Sequence, residues 1–313
     1  LSTTDKNSTY KLFANFWELG SMIIHEPKII KENGWVTLSA RIESESASKV
    51  NEDLWYSFPE EKEKWITTRS DCFISGALKL AMILQEPLEV RGEVSPKLAY
   101  NSFEYQAIFN FLKPDVYHQI DISFEKLLPI PKNMNGVSGT AFSGGVDSFY
   151  TLWKHLPENQ PLVEAHIQEL VFVQGFNMSR KDNANYTRAL KALKPLEEKC
   201  NVKIISARTN ARELYDPWIS WTIAFDPALL ALPLALGNYF RQFYVPSSGT
   251  YQPLLLYGST RLTDHLMSTE ALDLIHHGSD KNRIEKLEEI SQWEETYDKL
   301  RVSNNHGYYQ GVN

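Results

Sequence analysis

The sequence predicts an α/β fold, a doubly wound and mainly parallel sheet preceded by a smaller α+β unit. Three observations predict it. Short apolar runs at 140–142, 170–173 and 202–206 recur about every thirty residues, the length of a βαβ crossover. The intervals between them carry helical periodicity. The stretch 126–139, rich in Pro, Asn and Gly, separates this alternation from an earlier part of different texture. The expected division is therefore 1–130, an accessory, substrate-binding or dimerisation domain, and 131–313, the α/β domain.

In the first part, strand-like runs fall at 10–17, 35–43 and 54–58. The run from Trp35 alternates, with Trp35 and Thr37 opposite Val36 and Leu38. A helix is expected over 71–84, with Phe73, Ala77, Leu80, Ala81 and Leu84 as its apolar stripe. A second opens at Ser95-Pro96, an N-cap followed by a first-turn proline. Its expected stripe is Phe103, Ala107, Ile108, Phe111 and Leu112. A return strand is expected over 119–122.

In the second part, the helix after the first run carries Phe149, Leu152, Trp153 and Leu156 at i, i+3, i+4 and i+7. The next carries Tyr186, Ala189, Leu190, Leu193 and Leu196, with Pro195 kinking or ending it. A buried helix is expected within 223–240. A fourth strand is expected at 243–245. A late helix over 281–293 places Ile284, Leu287, Ile290 and Trp293 on one side.

The chain has 313 residues, 42% hydrophobic and 23% charged, an ordinary globular balance that excludes disorder. Its net charge of −7 disfavours a nucleic-acid partner. Cys72 and Cys200 alone make neither a disulfide framework nor a four-thiolate zinc site, and they suit a reducing cytoplasm. No apolar run is long enough to span a membrane, and residues 1–10 lack a signal-peptide layout.

The informative segment is Ser143-Gly144-Gly145-Val146-Asp147-Ser148, between a short strand and an amphipathic helix. Paired glycines let backbone approach a ligand, and a helix N-terminus favours an anion. Ser143 and Ser148 add hydroxyls. A carboxylate at Asp147 beside phosphates calls for a cation between them, and magnesium is the natural one. The segment matches neither a Walker A loop nor a dinucleotide fingerprint.

This SGGVDS motif resembles the signature of the PP-loop ATP pyrophosphatases, which include asparagine synthetase, GMP and NAD synthetases, tRNA-modifying enzymes and 7-cyano-7-deazaguanine synthase. The resemblance covers roughly residues 138–313 and implies a PP-loop (HUP-like) sheet. The later segments look most like the deazaguanine-synthase-like branch. It implies ATP cleavage between the α- and β-phosphates, adenylation of a substrate oxygen, and displacement of AMP by a nucleophile. By that resemblance Ser143, Gly144, Gly145, Val146, Asp147 and Ser148 grip pyrophosphate and its magnesium.

Val173, Gln174, Gly175 and Phe176, after the second run, are implied to receive adenine, with Phe176 stacking on the base. The plainer reading is a turn with Phe176 in the core. Asp would be expected where Asn177 stands. Arg208 or Arg212 is a candidate for a substrate carboxylate or the α-phosphate. Set against this is a surface ion pair with Glu213 or Asp216. Ser247, Ser248, Gly258, Ser259, Thr260 and Asp264 lie on two hydroxyl-rich loops implied to close on nucleotide and substrate. Asp264 is a candidate to carry a second magnesium or orient the nucleophile. His276 and His277 are read as one packed and one exposed, because adjacent strand residues point opposite ways.

The tail 300–313 looks like the lead-in to a zinc-binding Cys cluster, with Ser303 where Cys is expected, so no zinc is expected within these residues. The expected activity is AMP- and pyrophosphate-forming adenylation of a small-molecule carboxylate or amide oxygen, for attack by ammonia or an amine. A sulfur-inserting enzyme on RNA or a base, and a non-catalytic ATP-binding module, are the alternatives. A homodimer is a possible assembly.

Overall fold

The computed structural model describes residues 20–252 and 258–301. The expected strand at 10–17 and the tail from 302, Ser303 included, lie outside the described residues.

The first part of the chain supplies β1 (Met22–Ile24), β2 (Lys28–Glu32), β3 (Trp35–Ser44), β4 (Glu52–Pro59), α1 (Asp71–Leu84), β5 (Leu88–Val94), α2 (Pro96–Leu112) and β6 (Ile122–Leu127). The second supplies β7 (Val137–Ala141), α3 (Val146–Lys154), β8 (Glu169–Gln174), α4 (Asn183–Leu193), α5 (Pro195–Lys199) and β9 (Lys203–Thr209). After these come α6 (Ala211–Tyr215), α7 (Trp221–Ala235), β10 (Phe240–Pro246), β11 (Asp273–His277) and α8 (Arg283–Ile290).

The eleven strands of the described residues join one sheet, in the order β11-β10-β7-β8-β9-β4-β3-β1-β5-β6, with β2 beside β3. The block β11 to β9 is parallel throughout. The stretch 126–139 holds the end of β6, a connection over 128–136 and the start of β7, all within this sheet. The two parts of the chain meet where β4 pairs antiparallel with β9, Tyr56 opposite Thr209. Asn210 fastens the junction by accepting from Trp55 N–H at 3.0 Å and donating to the Asp53 carbonyl at 2.8 Å.

Apolar packing forms two clusters. One gathers α1, α2 and α7 with Val36, Leu38, Tyr56 and Val245. The other gathers α3, α4 and Ile290 of α8 with Leu170, Phe172 and Tyr244. Alternating strand residues divide between them: Val171 joins the first, Leu170 and Phe172 the second. Pro195 breaks the helix after β8 into α4 and α5, since it lacks the N–H that a continuous helix needs.

Four expectations are corrected. In α1 every residue from Asp71 to Met82 is buried, not a single stripe, because α7 packs along it. In α2 the buried positions are Leu98, Ala99, Ser102, Tyr105, Gln106 and Phe109, while Phe103 and Phe111 are exposed. Tyr105 turns inward to reach Asp226, and Phe109 lies under the Lys79 ammonium. The return strand begins at Ile122, because Gln106 takes the Ile120 N–H into a side-chain bond. In α8 the inward residues are Lys286 and Ile290, while Ile284 is 70% exposed and Leu287 38%.

Candidate functional site

In the parallel block β7 lies between β8 and β10. The chain runs from β7 to β8 and β9 on one side, then returns to β10 and β11 on the other. The β7/β10 boundary is thus the topological switch point, where open α/β sheets form a crevice at the carboxyl ends of their strands. SGGVDS lies on one wall of this crevice and Ser247 on the other.

Gly144 has φ +72°, a left-handed conformation that glycine adopts without strain. The chain then enters α3 with Gly145 as N-cap in extended conformation, and among the described residues no side chain caps the helix. The first-turn N–H groups of Val146, Asp147 and Ser148 therefore point outward without a side-chain acceptor, at the positive end of the helix dipole. Ser148 Oγ donates to the Gly145 carbonyl at 2.9 Å, and Ser143 Oγ accepts from Gly145 N–H at 3.3 Å. Arg301 N–H holds the loop from outside by donating to the Gly144 carbonyl at 2.7 Å.

Two cations face Asp147. Lys286 Nζ donates to its Oδ1 at 3.2 Å and Arg283 donates to its Oδ2 at 2.8 Å. The Lys286 side chain is 1% exposed and also donates to the Ser247 carbonyl, so its ammonium bridges both walls. Burial pulls the Lys286 ammonium below lysine's ordinary value, and Asp147 opposes that pull. The Asn282 capping box, closed by Glu285, starts α8 at the register that brings Lys286 here. Sequence reasoning missed both cations. Its apolar stripe assigned the inward face to Ile284 and Leu287, and only the capping box carried a signal of the true register.

Gln174 points into its own turn. Its Nε2 donates to Asn183 Oδ1 at 3.0 Å and to the Arg180 carbonyl at 3.2 Å. Gly175 has φ +109°, and a Cβ there would meet the Thr209 carbonyl oxygen at 2.0 Å. That glycine is required by the neighbouring strand whether or not a base approaches it. Phe176 packs beside Trp221, ring centroids 5.2 Å apart, and Val173 packs on the first cluster.

Arg208 and Arg212 lie away from SGGVDS. The Arg208 guanidinium sits 3.8 Å over the Trp35 ring. Arg212 pairs with Asp216 at 3.1 Å and donates to the Phe176 carbonyl at 2.9 Å. Glu213 is taken by Arg180. Ser247 is buried, bonded to Gly249 and Ser279, and Ser248 is exposed beside it.

A second polar cluster lies on the α7 side of the same edge. Asp264 is fully buried, and its Oδ1 accepts from Thr260 N–H at 3.0 Å. Its Oδ2 accepts from Ser259 Oγ at 2.6 Å and from His276 Nδ1 at 2.8 Å. Both Asp264 oxygens are thus engaged by partners within the protein. Beneath Gly258 lies a buried ion pair, Lys79 Nζ to Asp226 Oδ1 at 2.6 Å. Lys79 also reaches the Gly258 carbonyl at 3.4 Å, and Tyr105 Oη donates to Asp226 at 3.0 Å. Burial raises the Asp226 carboxyl to about 7, against the pull of Lys79.

Neither histidine of the pair is exposed. They point to opposite faces, as adjacent strand residues do, but both faces are covered. His277 lies with His155, Tyr150 and Tyr244 on the α3 side, and burial holds it neutral at about 3. The cysteines are remote from the crevice. Cys72 lies in the core of α1 and Cys200 caps α5, and burial raises both thiols, the latter to about 12.

No protein-family model, curated protein or solved structure matches the chain. Among the described residues no helix is long and apolar enough to cross a membrane.

Proposed function

We propose that this chain is an ATP pyrophosphatase of the PP-loop type. It adenylates a carboxylate or amide oxygen of a small molecule, which ammonia or an amine then attacks, releasing AMP. One observation carries the reading: the uncapped N-terminus of α3 lies at the switch point, with Lys286 and Arg283 turned toward it.

The first-turn N–H groups of α3 and the Ser143 and Ser148 hydroxyls hold the tail phosphates. Lys286 and Arg283 balance the charge that grows as pyrophosphate departs. Asp147 would be the residue to hold magnesium, a hard carboxylate beside the phosphate site, and the ion would have to displace Lys286 or Arg283 from it, since both its oxygens are engaged. When bound, that ion neutralises the phosphate oxygens. Lys286 and Arg283 would then be the side chains left to face the phosphates. No side-chain nucleophile is required. The buried, high-pKa thiols give no support to the sulfur-inserting alternative.

The test is product analysis with MgATP, ammonium and a panel of small carboxylic acids. AMP and pyrophosphate are expected, and Asp147→Ala abolishes them. ADP as the product, or turnover indifferent to that substitution, overturns the reading.

A further inference from the structure

Resting on that reading, we infer that His276 is the general base for the incoming nitrogen nucleophile, with Asp264 as its positioning residue. The inference starts from the shared acceptor atom. Asp264 Oδ2 takes bonds from both His276 Nδ1 and Ser259 Oγ. A buried carboxylate accepting at Nδ1 fixes the proton on that nitrogen and leaves the Nε2 lone pair free. Nε2 has no hydrogen-bond partner among the described residues, and it is not a sealed atom.

Its place on the sheet is the second observation. His276 pairs with Val245, two residues before Ser247, so the imidazole stands one strand from the crevice, at the carboxyl edge. It faces the α7 side, whereas Asp147 and its cations stand at the start of α3. The strand ends thus separate a cationic side, fit for pyrophosphate, from the α7 side, where Ser259 lies against His276 and Gly258 N–H donates to the Thr222 carbonyl of α7. Asp264 is itself held by Thr260 N–H, so the dyad is rigid before any ligand arrives.

The step balances as follows. The amine lone pair forms a C–N bond to the activated carbon, and one N–H proton passes to His276 Nε2. The C–O bond to AMP breaks, and its electron pair leaves with AMP.

The experiment compares wild type, His276→Gln and Asp264→Asn with MgATP, the carboxylic-acid panel, and either ammonium or hydroxylamine. Hydroxylamine is largely unprotonated at neutral pH and needs little help from a base. Ammonium-dependent AMP release should fall about 100-fold in His276→Gln, the ordinary weight of a general base, with hydroxylamine restoring most of it. Asp264→Asn should fall in the same direction. Loss with both nucleophiles alike, or with neither, overturns the assignment and leaves the ATP reading standing. If the wild-type protein forms no AMP, the ATP reading falls and this assignment with it. A second readout needs no turnover: long-range nitrogen–proton NMR of the wild-type imidazole should show the proton on Nδ1, and a proton on Nε2 of the neutral ring overturns the assignment.

Discussion

Lys286 donates to Asp147 across 139 residues of chain, and the same ammonium reaches the Ser247 carbonyl on the far wall of the crevice. A buried lysine is costly unless its charge is matched. Here one carboxylate and one carbonyl match it, and both belong to the segments that flank the switch point. Removing the cation leaves Asp147 facing incoming phosphates with only Arg283, whose side chain is 61% exposed. Lys286→Ala should weaken MgATP binding at least tenfold by calorimetry, a loss of about 1.4 kcal/mol or more. Arg283→Ala should have the smaller effect, because solvent already screens it. Equal affinities for wild type and Lys286→Ala would remove the cation from the site.

The Lys79–Asp226 pair joins α1 to α7 with both side chains fully buried. Breaking such a pair on one side strands a charge in the core. Lys79→Met or Asp226→Asn alone should therefore cost about 3–5 kcal/mol in urea unfolding. Lys79→Met with Asp226→Leu should recover much of that, since the desolvation of both charges disappears together. The Tyr105 hydroxyl, which loses its acceptor, sets the residual loss at about 1–3 kcal/mol. A double variant as unstable as the sum of the singles would show that the pair has no coupling.

How legible this molecule was from its sequence depends on how local each determinant is. Helix α1 falls at the expected bounds, because apolar residues at helical spacing within 71–84 are a local signal. Ser95 caps α2 by accepting the Leu98 N–H, a determinant contained in four residues. The faces of α2 and α8 were misassigned for a non-local reason. Tyr105 and Lys286 turn inward to meet Asp226 and Asp147, 121 and 139 residues away, and apolar side chains turn outward in exchange. The SGGVDS loop was legible because a strand, two glycines and a helix start are contiguous. Its two cations were not, since they come from the other end of the chain. The strand β5 was overlooked although Leu88, Val90 and Val94 alternate as a half-buried strand should.

Gly175 supplies a prediction that separates structural from ligand-driven glycine use. A methyl group there runs into the Thr209 carbonyl, and φ +109° is unfavourable for any L side chain. Gly175→Ala should lower stability by at least about 2 kcal/mol, visible as a drop in Tm without any nucleotide present. If the variant keeps its Tm and loses only ATP affinity, the glycine serves the ligand and the contact with β9 is yielding.

His277 makes stability depend on acid. Burial among Tyr150, Tyr244 and His155 holds its folded value at about 3, below the ordinary histidine value of about 6.5. Between those two pH values the unfolded chain binds a proton that the folded chain does not, so stability rises with pH through the window and falls as acid is added. Above about 6.5 both states are neutral at this site and the contribution is flat. The slope from one such histidine reaches about 1.4 kcal/mol per pH unit inside the window. His155, lowered by the same burial, adds to it. Asp226, raised to about 7, gives the opposite slope over most of this window, so the readout is a difference: in urea unfolding between about pH 4 and 6.5, wild type should gain stability relative to His277→Phe as pH rises, the phenyl keeping the ring contacts with Tyr150 and His155. A stability difference between wild type and His277→Phe that does not change with pH would remove His277 from the acid response.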